Sequence, residues 1–316
     1  MGMTRKQLLL AEIESTYGTD PTPENSLNAI ATSEVNITPL AGSNVTRNIV
    51  KPYFGNQANI IVEKYVTIDF EVEVTGHVSS SAPQYGVLLK ACGFSEASVV
   101  DTGTVYSLIT PSTLTQAGTS ATMYFQRDGI KHILTGARGT VSFDFTVKQL
   151  PKMKFTFTGQ LGTITDSALS TSGLVYNAIT PIPVLTTNTE ITLFGYSPVV
   201  ESLTLDIAND VKYRTLVGSE TVIIADRKPK GNIKFEVPSL STKNFFDIAQ
   251  NSTLGAFSIT HGFEGYGNCF KVESYSGGTG IEAPKYATND GVDMLDCGLY
   301  FVPSSTGNDE LKITVS

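Results

Sequence analysis

Tryptophan is absent from the 316-residue chain, and histidine and cysteine occur three times each. His77, His132 and His261 are scattered and form no histidine-based catalytic or metal-binding pattern. Cys92, Cys269 and Cys297 lie far apart and are odd in number, which argues against a disulfide framework, and buried free thiols in a reducing compartment are expected. No run approaches the roughly 20 apolar residues of a membrane span. Leu8 to Ala11 is too short an apolar run for a secretory signal. Lys6 stands where a myristoylation motif at Gly2 requires Ser or Thr. Asn36, Asn44 and Asn251 open N-x-S/T triplets, which without a secretion signal read as chance. Positive charge is also scarce: the net charge of −8 gives no electrostatic footprint for gripping nucleic acid, and an acidic surface repels it.

Chemistry-bearing motifs are missing as well. There is no G-x-S-x-G elbow. The acidic loop Asn289 to Asp296 departs from the calcium-loop pattern at its later positions. The loop Gly277 to Gly280 lacks the flanks of a phosphate-binding loop. Among 30 acidic residues no pair stands out for glycoside hydrolysis. The chain reads as a non-enzyme with no catalytic residue, no metal and no cofactor.

An internal duplication is present. Apolar residues make up 41% of the chain and strand-like alternation recurs throughout, as in a globular β protein. Two stretches, Ser33 to Gly93 and Val200 to Ala249, share one order: alternating strand, hairpin, alternating strand, short amphipathic helix. Val35-Asn36-Ile37-Thr38 matches Leu203-Thr204-Leu205-Asp206, Thr46-Arg47 matches Tyr213-Arg214, and Ile68 to Val72 matches Ile233 to Val237. The amphipathic run at Leu88-Leu89 matches that at Phe245-Phe246. The predicted organisation is an N-terminal arm (1–30), a first β domain (31–160), a connecting segment (161–190) and a second β domain (191–316). A duplicated β unit without catalytic signature points to a surface or an assembly.

Local patterns fill in the elements. Arg5 to Glu14 predicts two or three helical turns, within an arm that carries few apolar residues for its own domain and reads either as a frayed terminus or as a segment that orders against a neighbouring subunit. Thr16 to Ser26 is turn chemistry. Lys51 to Gln57 (KPYFGNQ) reads as a long hairpin tip. In Thr67 to Thr75, Ile68, Phe70, Val72 and Val74 point one way and Asp69, Glu71 and Glu73 the other. A helix spans Tyr85 to Phe94 with Gly93 as its cap. Strands follow at Val105–Ile109, Ala121–Gln126 and Ile130–Leu134, the last two joined by the hairpin dipeptide Asp128-Gly129. Val141–Val147 and the alternating Met153, Phe155, Phe157 continue the pattern, whereas Gly159 to Asn188 shows no sustained period. The second half offers strands at Glu190–Tyr196, Val199–Ile207, Thr221–Ala225 and Asn232–Val237, then a helix at Thr242–Ala249 capped by Asn244 or Ser241. Phe257–Thr260, Cys269–Ser274, Asp293–Phe301 and Leu311–Val315 complete the β content. Asp69, Glu71 and Glu73 make an acidic row, which is either a plain solvated face or, if the sheet lines a wide channel, an acidic wall past which DNA would not stick; Lys234 and Glu236 take the corresponding positions in the second copy and dilute the charge there.

In order and spacing, several segments resemble the major tail tube proteins of long-tailed, non-contractile bacteriophages, the siphophage tail tube family. They are Arg5 to Pro23, Ile37 to Leu40, Lys51 to Asn56, Leu88 to Phe94, Leu216 to Glu220, Asp226 to Gly231 and Gly307 to Glu310. The resemblance implies a mainly β fold: two tandem β-barrel or sandwich copies, each with a short flanking helix, plus an extended N-terminal arm. It implies a structural subunit whose rings stack into a tube that conducts DNA. With two copies per chain, three subunits would close a pseudo-six-fold ring. Asp69, Glu71, Glu73, Lys234 and Glu236 would then face the lumen. Leu8, Leu9, Tyr17, Lys51, Tyr53 and Phe54 would contact the adjacent ring. Implied partners are the chain itself, tape measure, terminator and distal tail proteins, and DNA in transit without sequence-specific binding. No membrane anchor is implied; the expected location is the virion tail, after synthesis in the host bacterial cytoplasm. The residues alone also leave open a secreted or surface β-sandwich binding module, for instance for carbohydrate, and a hydrolase with an acidic pair.

Overall fold

The computed structural model describes residues 5–77, 82–99, 103–176, 179–263 and 267–316. Gly2, Thr4 and part of the loop inside the first repeat lie outside them. In chain order the elements are β1 (Gln7–Ile13), β2 (Ala29–Ile30), β3 (Ser33–Ala41), β4 (Asn44–Thr46), β5 (Asn59–Ile61), β6 (Tyr65–Glu73), α1 (Gly86–Ala91), β7 (Phe94–Val99), β8 (Gly103–Leu108), β9 (Ala121–Arg127), β10 (Gly129–Thr146) and β11 (Lys152–Ser167). The second half follows with β12 (Thr189–Leu193), β13 (Val200–Asp206), β14 (Asn209–Leu216), β15 (Ser219–Arg227), β16 (Lys230–Glu236), α2 (Phe245–Gln250), β17 (Phe257–Phe263), β18 (Asn268–Glu273), β19 (Thr279–Ile281), β20 (Lys285–Asn289), β21 (Val292–Phe301) and β22 (Lys312–Val315).

The protein is mainly β, and its two principal sheets stack as a sandwich. The larger has twelve strands, with β19-β21-β16-β13-β10-β11-β6-β3 as its path and β1, β2, β9 and β20 off it. The smaller runs β12-β17-β18-β22-β8-β7. Both are open; among the described residues no sheet closes into a barrel. One apolar core lies between them: Phe143 and Phe145 of β10 meet Phe270 of β18, and Phe257 of β17 meets Phe301 of β21. Each buried phenylalanine contributes roughly 1.5–3 kcal/mol relative to exposure.

The repeat is visible in the topology. Each half runs strand, excursion hairpin, strand, helix, hairpin: β3, β4–β5, β6, α1, β7–β8, and then β13, β14–β15, β16, α2, β17–β18. Ile37 pairs with Ile68, and Leu203 pairs with Ile233. With Ile68 equivalent to Ile233, Leu203 therefore matches Ile37 and not Val35; the first strand alignment slips by one pleat. The halves are not separate in space. β10 pairs with β13, so one sheet spans both repeats, and β22 pairs with β8 in the other.

Four local expectations differ from the structure. Arg5 to Glu14 is not helical: Gln7–Ile13 is a strand paired in register with β9. The reason is burial on both faces. Leu9 and Ala11 enter the main core, while Leu8 and Leu10 join Ala29 and Tyr124 in a second cluster, which a helix with one apolar stripe could not do. The same burial overturns the expectation that this segment has little to pack against its own domain. Ile130–Leu134 and Val141–Val147 fuse into one strand, β10, bent by irregularities around Leu134–Arg138. The period-free stretch after Gly159 opens as strand, because β11 continues to Ser167 against the start of β10. Other expectations fit local chemistry. Asp128 and Gly129 take φ of 29° and 104° at the β9–β10 turn. Gly93, at φ 86°, ends the turn after α1. Asn244 accepts from the backbone N–H of Phe246 and Asp247, a cap worth about 1 kcal/mol.

The bend in β10 is held by a buried polar knot. Glu14, fully buried, accepts from Gly136 N (2.6 Å), Gly18 N, Ser120 Oγ and Thr122 Oγ1. Gly136 sits at φ 57°, and a Cβ there would meet the Tyr17 ring at 2.7 Å, so only glycine fits. Arg138, 1% exposed, donates to the carbonyls of Thr119, Leu114 and Val222 and to Thr119 Oγ1, beneath the Tyr17 ring. Arg138→Ala leaves those carbonyls unpaired and removes the positive charge near Glu14. We expect a loss of about 3–5 kcal/mol in urea unfolding; a loss under about 1 kcal/mol would show the guanidinium dispensable.

His261 pins the connecting segment to β17 through Thr189 Oγ1 (2.9 Å) and the Ile182 carbonyl (3.0 Å). Burial lowers its pKa below 6.5, an effect partly offset by the Ile182 carbonyl. The unfolded chain therefore takes up the proton first. Stability is full above about pH 6.5 and falls as pH drops below it. The urea midpoint should decline from about pH 7 to about pH 5, and His261→Gln should flatten that decline. An unchanged slope in the variant would remove His261 as its source.

Candidate functional site

Alternation along the large sheet sends apolar side chains to the core and leaves a continuous polar face on the other side. On β6, Ile68, Phe70 and Val72 are buried, while Asp69 and Glu71 are half-buried and Glu73 is exposed. The next strand answers with cations and hydroxyls. Lys152 and Lys154 of β11 stand opposite Glu73 and Glu71, and Thr156 stands opposite Asp69. Lys152 Nζ bonds Glu71 Oε2 at 2.7 Å, which raises the lysine's pKa, and Thr156 donates to Asp69 at 2.6 Å.

The face continues across the seam between repeats. Ser142, Asp144 and Thr146 of β10 lie beside Asp206, Thr204 and Ser202 of β13. Lys230, Asn232, Lys234 and Glu236 of β16 follow, then Asp296 of β21, which accepts from Asn232 at 2.7 Å. Lys234 pairs with Glu201 at 2.8 Å. A groove of about 420 Å³ runs along this seam between Glu71, Asp144, Lys152, Asp206 and Lys230. The acidic row is thus embedded in a mixed face, with lysines set against its carboxylates. Asp69, Glu71, Glu73, Lys234 and Glu236 share this one surface.

Two further features are exposed. The sheet ends in open strands, β3 on one side and β19 with β20 on the other. Between β3 and β6, every residue from Gly42 to Val62 is exposed except the half-buried Gln57. At its tip Val50 and Phe54 are 97% and 106% exposed, and Lys51 lies over the Tyr53 ring at 5.5 Å. The equivalent hairpin of the second repeat is docked on its own chain. Val222 N donates to Tyr17 Oη (2.6 Å), Gln160 donates to the Glu220 carbonyl (2.6 Å), and Tyr213 stacks on Tyr65 at 5.0 Å.

The six residues assigned to inter-ring contact therefore divide. Lys51, Tyr53 and Phe54 are surface groups at one tip, whereas Leu8 and Leu9 are core residues and Tyr17 is bonded inside the subunit. Sequence reasoning missed the tip of the docked hairpin, where Leu216 and Val217 are exposed. A pair of aliphatics directly before Gly218 was the available signal. The histidines sit in separate surroundings: His132 stacks on Phe125, and His261 faces Thr189. Among the described residues no cluster of His, Cys, Asp or Glu could hold a metal ion, and no helix is long and apolar enough to cross a membrane.

A family model described as phage tail tube protein matches residues 4–296. No curated protein matches the chain.

The triple variant Asp69→Asn, Glu71→Gln, Glu73→Gln should unfold within about 1 kcal/mol of the parent, since these groups are partly solvated and their ion pairs are worth little. A larger loss in urea melts would mean that the row holds the sheet together.

Proposed function

The chain belongs to the phage tail tube protein family, and from that premise we propose that three copies close into a ring whose stacked repeats conduct DNA. It is a structural component of the virion tail. Within the subunit, β13 of the second repeat pairs with β10 of the first. This internal seam carries the proposal. The same relation, applied outward, sets the open β3 edge of one subunit against the open β19 and β20 edge of the next. Three chains would then present six β units around a lumen. Closure of this kind pairs the two open ends of the large sheet's path, β3 and β19 with β20.

The polar face forms the lumen wall in this reading. Its lysines lie beside carboxylates, so they offer passing phosphates little opportunity to release counterions, and its acids repel the backbone. DNA would slide without sequence-specific binding. The exposed tip at Lys51, Tyr53 and Phe54 reaches the next ring. The tape measure, terminator and distal tail proteins would meet the tube inside it and at its two ends.

Electron microscopy of the purified chain at rising concentration tests this. Three-fold rings with six similar lobes, and tubes built from them, are expected; a monomer at all concentrations would refute the assembly. Replacing Ser43 to Val62 by a short turn should leave a folded subunit that forms rings and does not elongate, because that segment makes almost no buried contact. Tubes of normal length from this variant would exclude the hairpin from stacking.

A further inference from the structure

We infer that the Phe54 tip of one subunit inserts into a defined cleft at the opposite end of the same strand pair in the next ring. This rests on the tube reading above. The cleft, about 420 Å³, is in the size range of sites that take small ligands. It is lined by Leu9, Ser33, Val35, Val72, Tyr85 and Tyr176, with Glu34, Glu73 and Arg5 also facing it.

Position is the first argument. β3 and β6 run antiparallel, with Ala41 opposite Tyr65 and Ser33 opposite Glu71. The hairpin leaves the sheet at the Ala41–Tyr65 end. The cleft opens where β3 begins and β6 finishes. Nine-residue strands put the two features about 30 Å apart on one axis. A projection at one end and a recess at the other cannot satisfy each other within one subunit. Joined head to tail between copies, they make a heterologous contact that propagates as an open filament.

Chemistry is the second argument. The tip carries an exposed Phe54 and Tyr53, with Arg47 and Lys51 and no acid between Gly42 and Val62. The cleft offers aromatic and aliphatic walls with Glu34 and Glu73 against Arg5; the nearby Lys152 is engaged by Glu71. An apolar ring can enter the walls while the basic flanks meet the carboxylates.

The test uses the full chain with Phe54→Cys and Ser33→Cys introduced together. The native cysteines are all buried, so the new thiols are the accessible ones. Mild oxidation of polymerised protein should give a ladder of covalent oligomers on a non-reducing gel, absent from either single variant. Separately, Phe54→Ala should raise the concentration needed for polymerisation about tenfold. If Phe54→Ala impairs polymerisation and the double variant gives no ladder, the receptor lies elsewhere and the cleft assignment falls. If Phe54→Ala polymerises like the parent and no ladder forms, the inference falls while the tube reading stands. If the parent chain does not polymerise at all, the tube reading falls and takes the inference with it.

Discussion

One strand governs the arrangement. β10, eighteen residues long, pairs with β9, β11 and β13. It thereby ties the N-terminal strand, the first repeat and the second repeat into one sheet. It cannot do so straight. The bend near Gly136 leaves a backbone N–H out of the ladder, and buried Glu14 accepts it. Arg138, two residues on, reaches across to the second repeat's hairpin at Val222. The polar knot is thus a consequence of the bend: a buried irregularity needs partners, and side chains from three segments supply them.

The seam made by β10 also explains the asymmetry between the two excursion hairpins. The second repeat has the first repeat beside it, so β14–β15 folds onto β10 and β11 and fixes Tyr213 against Tyr65. The first repeat has no unit beside β3, and its hairpin projects with apolar side chains in water. A monomer keeping Val50, Tyr53 and Phe54 in solvent gains nothing from them. In the assembly proposed above, these groups would be the means by which layers meet.

The polar face follows from the same alternation that builds the core. Each inward phenylalanine or isoleucine fixes an outward neighbour, and the outward set mixes carboxylates, lysines, threonines and serines. Cross-strand pairing then sets which charges meet. Lys152 lies closest to Glu71, across the diagonal from its register partner Glu73. That pair neutralises one carboxylate of the row, while Asp69 accepts from Thr156.

Sequence alone determined the β class, the duplicated order of elements, the inward set Ile68, Phe70, Phe155 and Phe157 and the Asp128-Gly129 turn, and it narrowed the second helix's cap to Asn244 or Ser241. These rest on local periodicity and turn stereochemistry, which need no distant partner. It also singled out the acidic row and the tip at Lys51 to Gln57. Tertiary structure decided the rest. Leu8 to Ala11 is a strand because two separate clusters claim its opposite faces, and a four-residue apolar run does not reveal how many cores it serves. Glu14 and Arg138 look like ordinary charges until the fold buries both beside the bulge in β10. A lysine from another strand pairs with Glu71, and one hairpin docks while its twin stays free, because cross-strand register and neighbour contacts arise only when segments far apart in the chain are brought together.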